Sequence, residues 1–407
     1  MSKKRMTVVL IPIITSLIIL VAGSAGADRQ AAQEECTIGA AVGSATADGR
    51  PMIWKTRDWS EINNEIFWNQ GEKYHFLSVG NAGSPNTLMG LNECGFAILN
   101  SVSSDLPRGS GPLNNATMQS LALGTCATIE EFEALLKQTD ATGRSTQANF
   151  AVMDSTGRAA IFETAGNEYW KYEAGDPRVA PEGYVLRTNF AMNGGGRGGI
   201  ERYNRTTALI PDLHADGGIS YFDILRTQMR DFSDQASIPV ELPISGSVSG
   251  GPDGYWPTSV SICRSSSVSA AVFHGVRAGE PAISSTMWTL LGQPATTITV
   301  PYWAIGDVPP EANGPRTAPL CDEANRIRAI LFGQERFSRY INTHMLEDGQ
   351  GGGLWRVTFA AEDSIFTATD LLLDGFRRGT ISRSEMLEKE HALADYAWRI
   401  LKGWQPD

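Results

Sequence analysis

Five cysteines and five histidines are among the nucleophiles and bases this 407-residue sequence offers, and one cysteine has a distinctive setting. Cys36 begins an extended apolar run, Thr37, Ile38, Gly39, Ala40, Ala41 and Val42. A turn at Asp48, Gly49 and Arg50 leads back along Pro51, Met52, Ile53, Trp54, Lys55, Thr56, Arg57, Asp58 and Trp59. Two extended runs about an Asp-Gly predict a β-hairpin. Lys55, Arg57 and Asp58 then fall near the end of the second strand, beside Cys36. A thiol placed at a new N-terminus gains a base of its own, because the free α-amine has a pKa of about 8. That amine can take the thiol proton directly or through a water, so no histidine is required. The competing reading of Cys36, as a strand-starting residue or half of a disulfide, stays open on position alone.

The residues before Cys36 supply a reason for such a terminus. Lys3, Lys4 and Arg5 precede a largely apolar run over residues 8–22, with small residues at Ala25 and Ala27. This pattern predicts a secretory signal over residues 1–27, followed by a short polar propeptide over residues 28–35. An uncleaved anchor is the alternative, although the run is short for a membrane span. The expectation is a periplasmic or secreted protein. In an oxidising compartment the odd cysteine count leaves at least one thiol unpaired.

The elements that must position these groups read as an α+β chain. Forty-two glycines and ten tryptophans suggest many turns and strands, and 42% hydrophobic residues allow a large core. Strand-like pairs are predicted at residues 87–92 with 95–101, and at 149–154 with 159–164. Further strands are expected at 184–189, 259–276 and 296–303. Thr128 is placed to cap a helix with acidic residues in its first turn. A glycine-rich loop leads to a helix carrying Arg202 and Arg205, another helix is expected at about 221–230, and residues 318–407 read as mostly helical. Antiparallel runs separated by helices fit a layered α+β architecture, with the main domain at 36–317. The net charge of −11, without a Lys/Arg block beyond the first few residues, argues against nucleic-acid binding.

Other chemistries find little support. Gly194, Gly196 and Gly199 match a GxGxxG spacing, but mid-chain and almost without other residues, which suits a flexible loop better than a dinucleotide site. Gly246-Ser-Val-Ser-Gly250 puts Val248 where a nucleophilic serine would stand. His75, His214, His274, His344 and His391 are scattered, and no cysteine lies in a metal-type spacing. A Ser-His-Asp site needs no sequence proximity and stays open.

Cys36-Thr37, the Ala-Asp-Gly-Arg turn and the run from Lys55 through Asp58 to Trp59 resemble the opening of the penicillin V acylase and choloylglycine hydrolase family. That family belongs to the N-terminal-nucleophile hydrolase superfamily with acid ceramidases, isopenicillin N acyltransferases and dipeptidases. The run from Gly90 to Asn100 is similar to a family segment ending in an oxyanion-hole asparagine. Val185-Leu-Arg-Thr-Asn189 resembles the stretch supplying a second asparagine. Arg202-Tyr-Asn-Arg205 resembles a helical Arg-x-x-Arg whose arginine lies close to the nucleophile. The likeness runs over about 36–303. The family more often has Arg where Lys55 stands, so either Lys55 or Arg57 fills that slot.

The resemblance implies an αββα sandwich of two antiparallel sheets flanked by helices. It implies Cys36 as nucleophile, Asp58 orienting the α-amine, and the Asn189 side chain with the Asn100 N–H holding an oxyanion. Lys55 or Arg205 would depress the thiolate pKa. Taken singly, Asn100, Asn149 and Asn189 read equally as turn or strand-end residues. Asp58 and Arg205 read as a surface ion pair, and Trp59, Phe67 and Trp68 as core or acyl pocket. The implied activity is hydrolysis of a linear N-acyl amide through a thioester, with no metal or organic cofactor. The implied partner is a small-molecule N-acyl amide, with no nucleic acid and no stable membrane span once the signal is removed. A homo-oligomer stays open, as do acyl transfer, dipeptide cleavage and an inactive secreted binding protein on the same fold.

Overall fold

A computed structural model describes residues 34–84 and 86–406, which belong to one compact unit, Gln33–Asp407. The predicted signal and most of the octapeptide lie outside the described residues. The first hairpin is β1 (Glu35–Ala41) and β2 (Met52–Asp58). Its register sets Glu35 opposite Asp58, Cys36 opposite Arg57 and Ile38 opposite Lys55. Side chains alternate along a strand, so Cys36, Ile38, Lys55 and Arg57 share one face while Glu35, Thr37 and Asp58 share the other.

The chain continues through β3 (Asn64–Gln70), β4 (His75–Asn81), β5 (Met89–Asn92) and β6 (Ala97–Val102). Helices α1 (Asn115–Thr125) and α2 (Ile129–Asp140) precede β7 (Ala148–Met153), β8 (Ala159–Thr164) and β9 (Tyr169–Glu173). These seven strands form one antiparallel sheet in sequential order. Next come β10 (Tyr184–Arg187), α3 (Ile200–Ala215) and the short α4 (Tyr221–Asp223). β11 (Tyr255–Pro257), β12 (Ser267–His274), β13 (Thr286–Leu291) and β14 (Val300–Tyr302) follow. The second antiparallel sheet has the order β10-β1-β2-β12-β13-β14. The tail contains α5 (Pro319–Leu331), β15 (Tyr340–Asn342), α6 (Thr343–Leu346), α7 (Leu354–Arg377) and α8 (Arg383–Gly403).

The two sheets stack, with β1 and β2 lying against β6 and β7. Outside the seven-stranded sheet, Met118, Leu123, Phe132 and Leu136 of α1 and α2 bury Ile98, Phe150, Val152 and Phe162. Thr128 caps α2 as expected, accepting from Glu131 N at 3.2 Å. On the other side α3 packs on β10, and α7 and α8 pack on β14. The observed architecture is the αββα sandwich of two antiparallel sheets.

Several boundaries depart from expectation. Only Ser267–His274 is strand within 259–276, and β14 is three residues preceded by a 3-10 turn. The helix expected at 221–230 is one turn of α4 running into a π-helical segment, Ile224–Gln228. Strands β3 and β4 were not anticipated, and β15 pairs with β11 inside the tail read as helical.

Gly39 sets the close fit of the hairpin. It faces Trp54 across the strands, and a Cβ there would lie 2.1 Å from the indole Cζ2. Both neighbours are fully buried, so the ring cannot swing away without repacking. Gly39→Ala is expected to destabilise the fold by about 3 kcal/mol through overpacking, read as a lower urea midpoint at unchanged slope.

Candidate active site

Because β1 and β2 turn one face inward, Cys36, Lys55 and Arg57 meet between the sheets. Cys36 and Lys55 are fully buried and Arg57 is 1% exposed. Lys55 Nζ donates to Glu34 Oε1 at 3.1 Å, to Asn100 Oδ1 at 3.0 Å and to the Leu88 carbonyl at 3.1 Å. Arg57 Nε donates to the same Glu34 oxygen at 3.0 Å, and its Nη1 reaches Asn64 Oδ1 at 2.8 Å. The Cys36 thiol lies 3.7 Å from Glu34 Oε1. Burial pushes the Glu34 carboxyl up, but the Lys55 and Arg57 charges together hold it below its usual value.

The thiol responds differently. Burial pushes Cys36 up to about 12; Lys55 pulls it down, Glu34 and Asp58 push it up, and Arg57 pulls it down. Of the five thiols, all free, Cys263 and Cys321 are also pushed up to about 12 by burial. What separates Cys36 is its pair of buried cations.

The Cys36 nitrogen is anchored separately. It donates to Asn189 Oδ1 at 2.8 Å, which also accepts from Arg202 Nη2 at 2.8 Å. Asn189 Nδ2 donates to the Glu34 carbonyl at 3.1 Å and the Val102 carbonyl at 3.0 Å. The backbone on either side of Asn189 is clamped by Asn149, whose Nδ2 donates to Thr188 O at 3.1 Å and Phe190 O at 3.0 Å. Glu163 adds a second tie, bonding Arg187 at 2.7 Å and the Met192 and Asn193 N–H groups.

Across the strands the second acidic residue is held as firmly. Glu35 Oε2 accepts from Arg264 Nη2 and, at 3.3 Å, from Arg202 Nη2. Asp58 accepts from Arg264 Nε at 2.9 Å and Nη2 at 2.7 Å, and from Ser267 Oγ at 2.6 Å. A bulge where β12 meets β2 sets Ser267 opposite Asp58.

The structure therefore brings Cys36, Lys55, Asn100 and Asn189 together, with Asp58 on the opposite face of the same strand pair. Asn100 turns its side-chain amide toward the site. Its Oδ1 accepts from Lys55, while its buried Nδ2 has no partner. Arg205 is the correction: it pairs with Asp231 at 2.6 Å and donates to Ala236 O. The arginine of this helix that reaches Cys36 is Arg202, whose Nη1 donates to the Cys36 carbonyl at 2.5 Å and Thr37 Oγ1 at 3.0 Å. Arg202 gets there by passing Gly199, the left-handed residue (φ 70°) before α3, where a Cβ would lie 2.4 Å from Nη2. Lys55 and Arg57 both reach the Glu34 carboxylate beside the Cys36 thiol.

Two cavities flank Glu34. One of about 310 Å³ is lined by Glu34, Asn100, Gln119, Arg108 and Gln147 among others. The other, about 230 Å³, is lined by Glu34, Glu35, Asp105, Asn189 and the glycine loop. That loop wraps Asp105, whose carboxylate accepts from Gly196 N and Ala191 N at 3.1 Å each. Trp59, Phe67 and Trp68 line neither cavity; Trp68 stacks on His75 at 5.5 Å. Among the described residues no cluster of His, Cys, Asp and Glu has the form of a metal site, and no helix is long and apolar enough to cross a membrane.

No family model matches the chain. No curated protein matches it either. Solved structures similar to it include a mutant of the conjugated bile acid hydrolase from Clostridium perfringens, at 12% identity and TM-score 0.38, covering 63% of this chain and 89% of that one. A penicillin V acylase from Agrobacterium tumefaciens shows 14% identity and TM-score 0.38, over 66% of this chain and 85% of that one. An N-acylethanolamine-hydrolyzing acid amidase orthologue from Caenorhabditis elegans shows 14% identity and TM-score 0.30, over 42% and 77%. Likeness at this level extends to neither substrate nor residue roles, which rest on the geometry above.

The thiol gives a direct test. A group with pKa about 12 is roughly one part in ten thousand thiolate at pH 8. Burial favours the neutral form in the folded chain, so reactivity should climb about tenfold per pH unit up to pH 11. Peptide mapping after iodoacetamide treatment is expected to show Cys36 unmodified at pH 8 in the chain that carries Glu34 and Glu35. In chain beginning at Cys36, the carboxylate and part of the burial are gone, and labelling at pH 8 should be at least about 100-fold faster.

Proposed function

We propose that this chain is the precursor of an exported amidohydrolase that acts through an N-terminal Cys36. The observation that carries the reading is the double anchoring of Cys36. Its nitrogen is held by Asn189 and its sulfur lies beside two buried cations, while Glu34 and Glu35 fill the space around it. Cleavage before Cys36 turns the anchored amide nitrogen into an α-amine still within reach of Asn189 Oδ1. Loss of Glu34 and Glu35 opens the two flanking cavities into one cleft at the sulfur. Asn189 Nδ2 loses the Glu34 carbonyl and becomes a donor aimed into that cleft, alongside the unpartnered Asn100 Nδ2.

The reaction then runs in two steps. The α-amine takes the thiol proton, Sγ bonds to the amide carbon, and the oxyanion is held by the freed amide donors. The C–N bond breaks as the α-ammonium gives its proton to the leaving amine, leaving a thioester. The amine next takes a proton from water, hydroxide bonds to the thioester carbon, and the C–S bond breaks to release the acid as the α-ammonium returns its proton to sulfur, restoring thiol and amine. Lys55 and Arg57 stabilise the thiolate that forms as the amine takes the proton, and Asp58, fixed by Arg264 and Ser267, keeps the end of β2 in place beside the new terminus.

Turnover of a chromogenic N-acyl amide by processed protein tests the reading. Cys36→Ala is expected to abolish it, and Asn189→Ala to lower kcat by on the order of 100-fold while the protein still folds. Residual turnover in Cys36→Ala would remove the nucleophile, and full activity in Asn189→Ala would remove the oxyanion donor.

A further inference from the structure

Processing leaves a charge imbalance whose chemistry points to the substrate. Four basic side chains surround the start of β1: Lys55, Arg57, Arg202 and Arg264. The first three are 0–1% exposed. In the unprocessed chain Glu34 answers Lys55 and Arg57, and Glu35 answers Arg202 and Arg264. Cleavage before Cys36 removes both carboxylates at once, and Asp58 stays with Arg264. Among the described residues of the inner face no acidic side chain then remains bonded to Lys55 or Arg57, whose other partners are the neutral oxygens of Asn100, Leu88 and Asn64. A thiolate at Cys36 can answer one of the two charges. Once the sulfur is acylated even that charge is gone, and two desolvated cations face the acyl group.

Resting on the proposed activity, we infer that the processed enzyme prefers amides that carry a carboxylate, seated where the Glu34 carboxylate now lies. That position has a built cradle: Lys55 Nζ at 3.1 Å, Arg57 Nε at 3.0 Å, and Cys36 Sγ at 3.7 Å. The adjoining cavity of about 310 Å³ is lined by both apolar residues such as Leu88 and Val102 and polar ones, among them Asn100 with its unpartnered Nδ2 and Gln119 with an unpartnered Oε1. Glu34 in this view is a tethered stand-in for the substrate's acid group, and the propeptide blocks the site by filling it. A purely apolar acyl group placed there would leave both cations buried without an anion.

Two measurements test this. In the full chain, Glu34→Ala vacates the cradle while leaving the rest of the propeptide in place. Propionate should then raise its melting temperature by about 3 °C at saturating concentration, propionamide should not, and neither should act on the wild-type chain. Equal effects of acid and amide, or no effect of propionate, would overturn the anion site. In processed enzyme, p-nitroanilides of succinic, glutaric and adipic acids are compared with their neutral monoacyl counterparts of equal length. At least one acid is expected to exceed its neutral partner about tenfold in kcat/KM, and Arg57→Gln to shrink that ratio. Neutral anilides turned over as well as acids would overturn the substrate preference and leave the amidase reading standing. If no anilide is cleaved, the amidase reading and with it the preference fall, while propionate rescue still reads the anion cradle by itself.

Discussion

One carboxylate joins the two buried cations at the centre of this molecule. Glu34 reaches between the two sheets and accepts hydrogen bonds from Lys55 and Arg57 through a single oxygen, beside the Cys36 thiol. Two cations buried between apolar layers carry a large desolvation cost, and an anion in contact offsets much of it. The rest of the site follows from that arrangement. Lys55 is turned toward Asn100 of the opposite sheet, Arg57 toward Asn64, and the backbone of Glu34 toward Asn189. The sandwich supplies the stiffness: β1 and β2 are central strands covered on both faces, so Lys55 and Arg57 cannot reach bulk water by a small shift.

The same interaction sets the thiol's chemistry. With Glu34 in place the sulfur is buried beside a negative charge and held as a thiol. The carboxylate itself is a poor acceptor for that proton, since its two cations keep its own pKa low. Glu34 thus behaves as a lock on Cys36 and not as its base. In the maturation proposed above, cleavage before Cys36 would supply an amine as base and remove Glu34 in a single event.

Much of this was legible in the sequence, and the failures have physical causes. The Asp-Gly turn placed Lys55, Arg57 and Asp58 beside Cys36 at the end of the hairpin, and only the register separates Asp58 onto the opposite face. Asn100 and Asn189 were reachable through the segments that carry them. Arg202 was not separated from Arg205, because residues three apart on a helix lie on neighbouring faces and only packing against β10 decides which turns inward. The left-handed Gly199, which makes room for the guanidinium, was the available signal. Arg264 stands in an irregular stretch before β12, where no periodicity marks it. Glu34 escaped notice because it sits in a segment read as disposable, yet its charge is what the buried cations require. Asn149 was legible as a strand residue, but its clamp on the backbone around Asn189 depends on a contact between sheets.

The most direct test of the account is the intact mass and N-terminal sequence of the active protein recovered from cells that make it. A chain beginning at Cys36 is predicted, with both glutamates absent. Active protein that still carries Glu34 and Glu35 ahead of Cys36 would contradict the account, because the sulfur would then work without a free amine beside it.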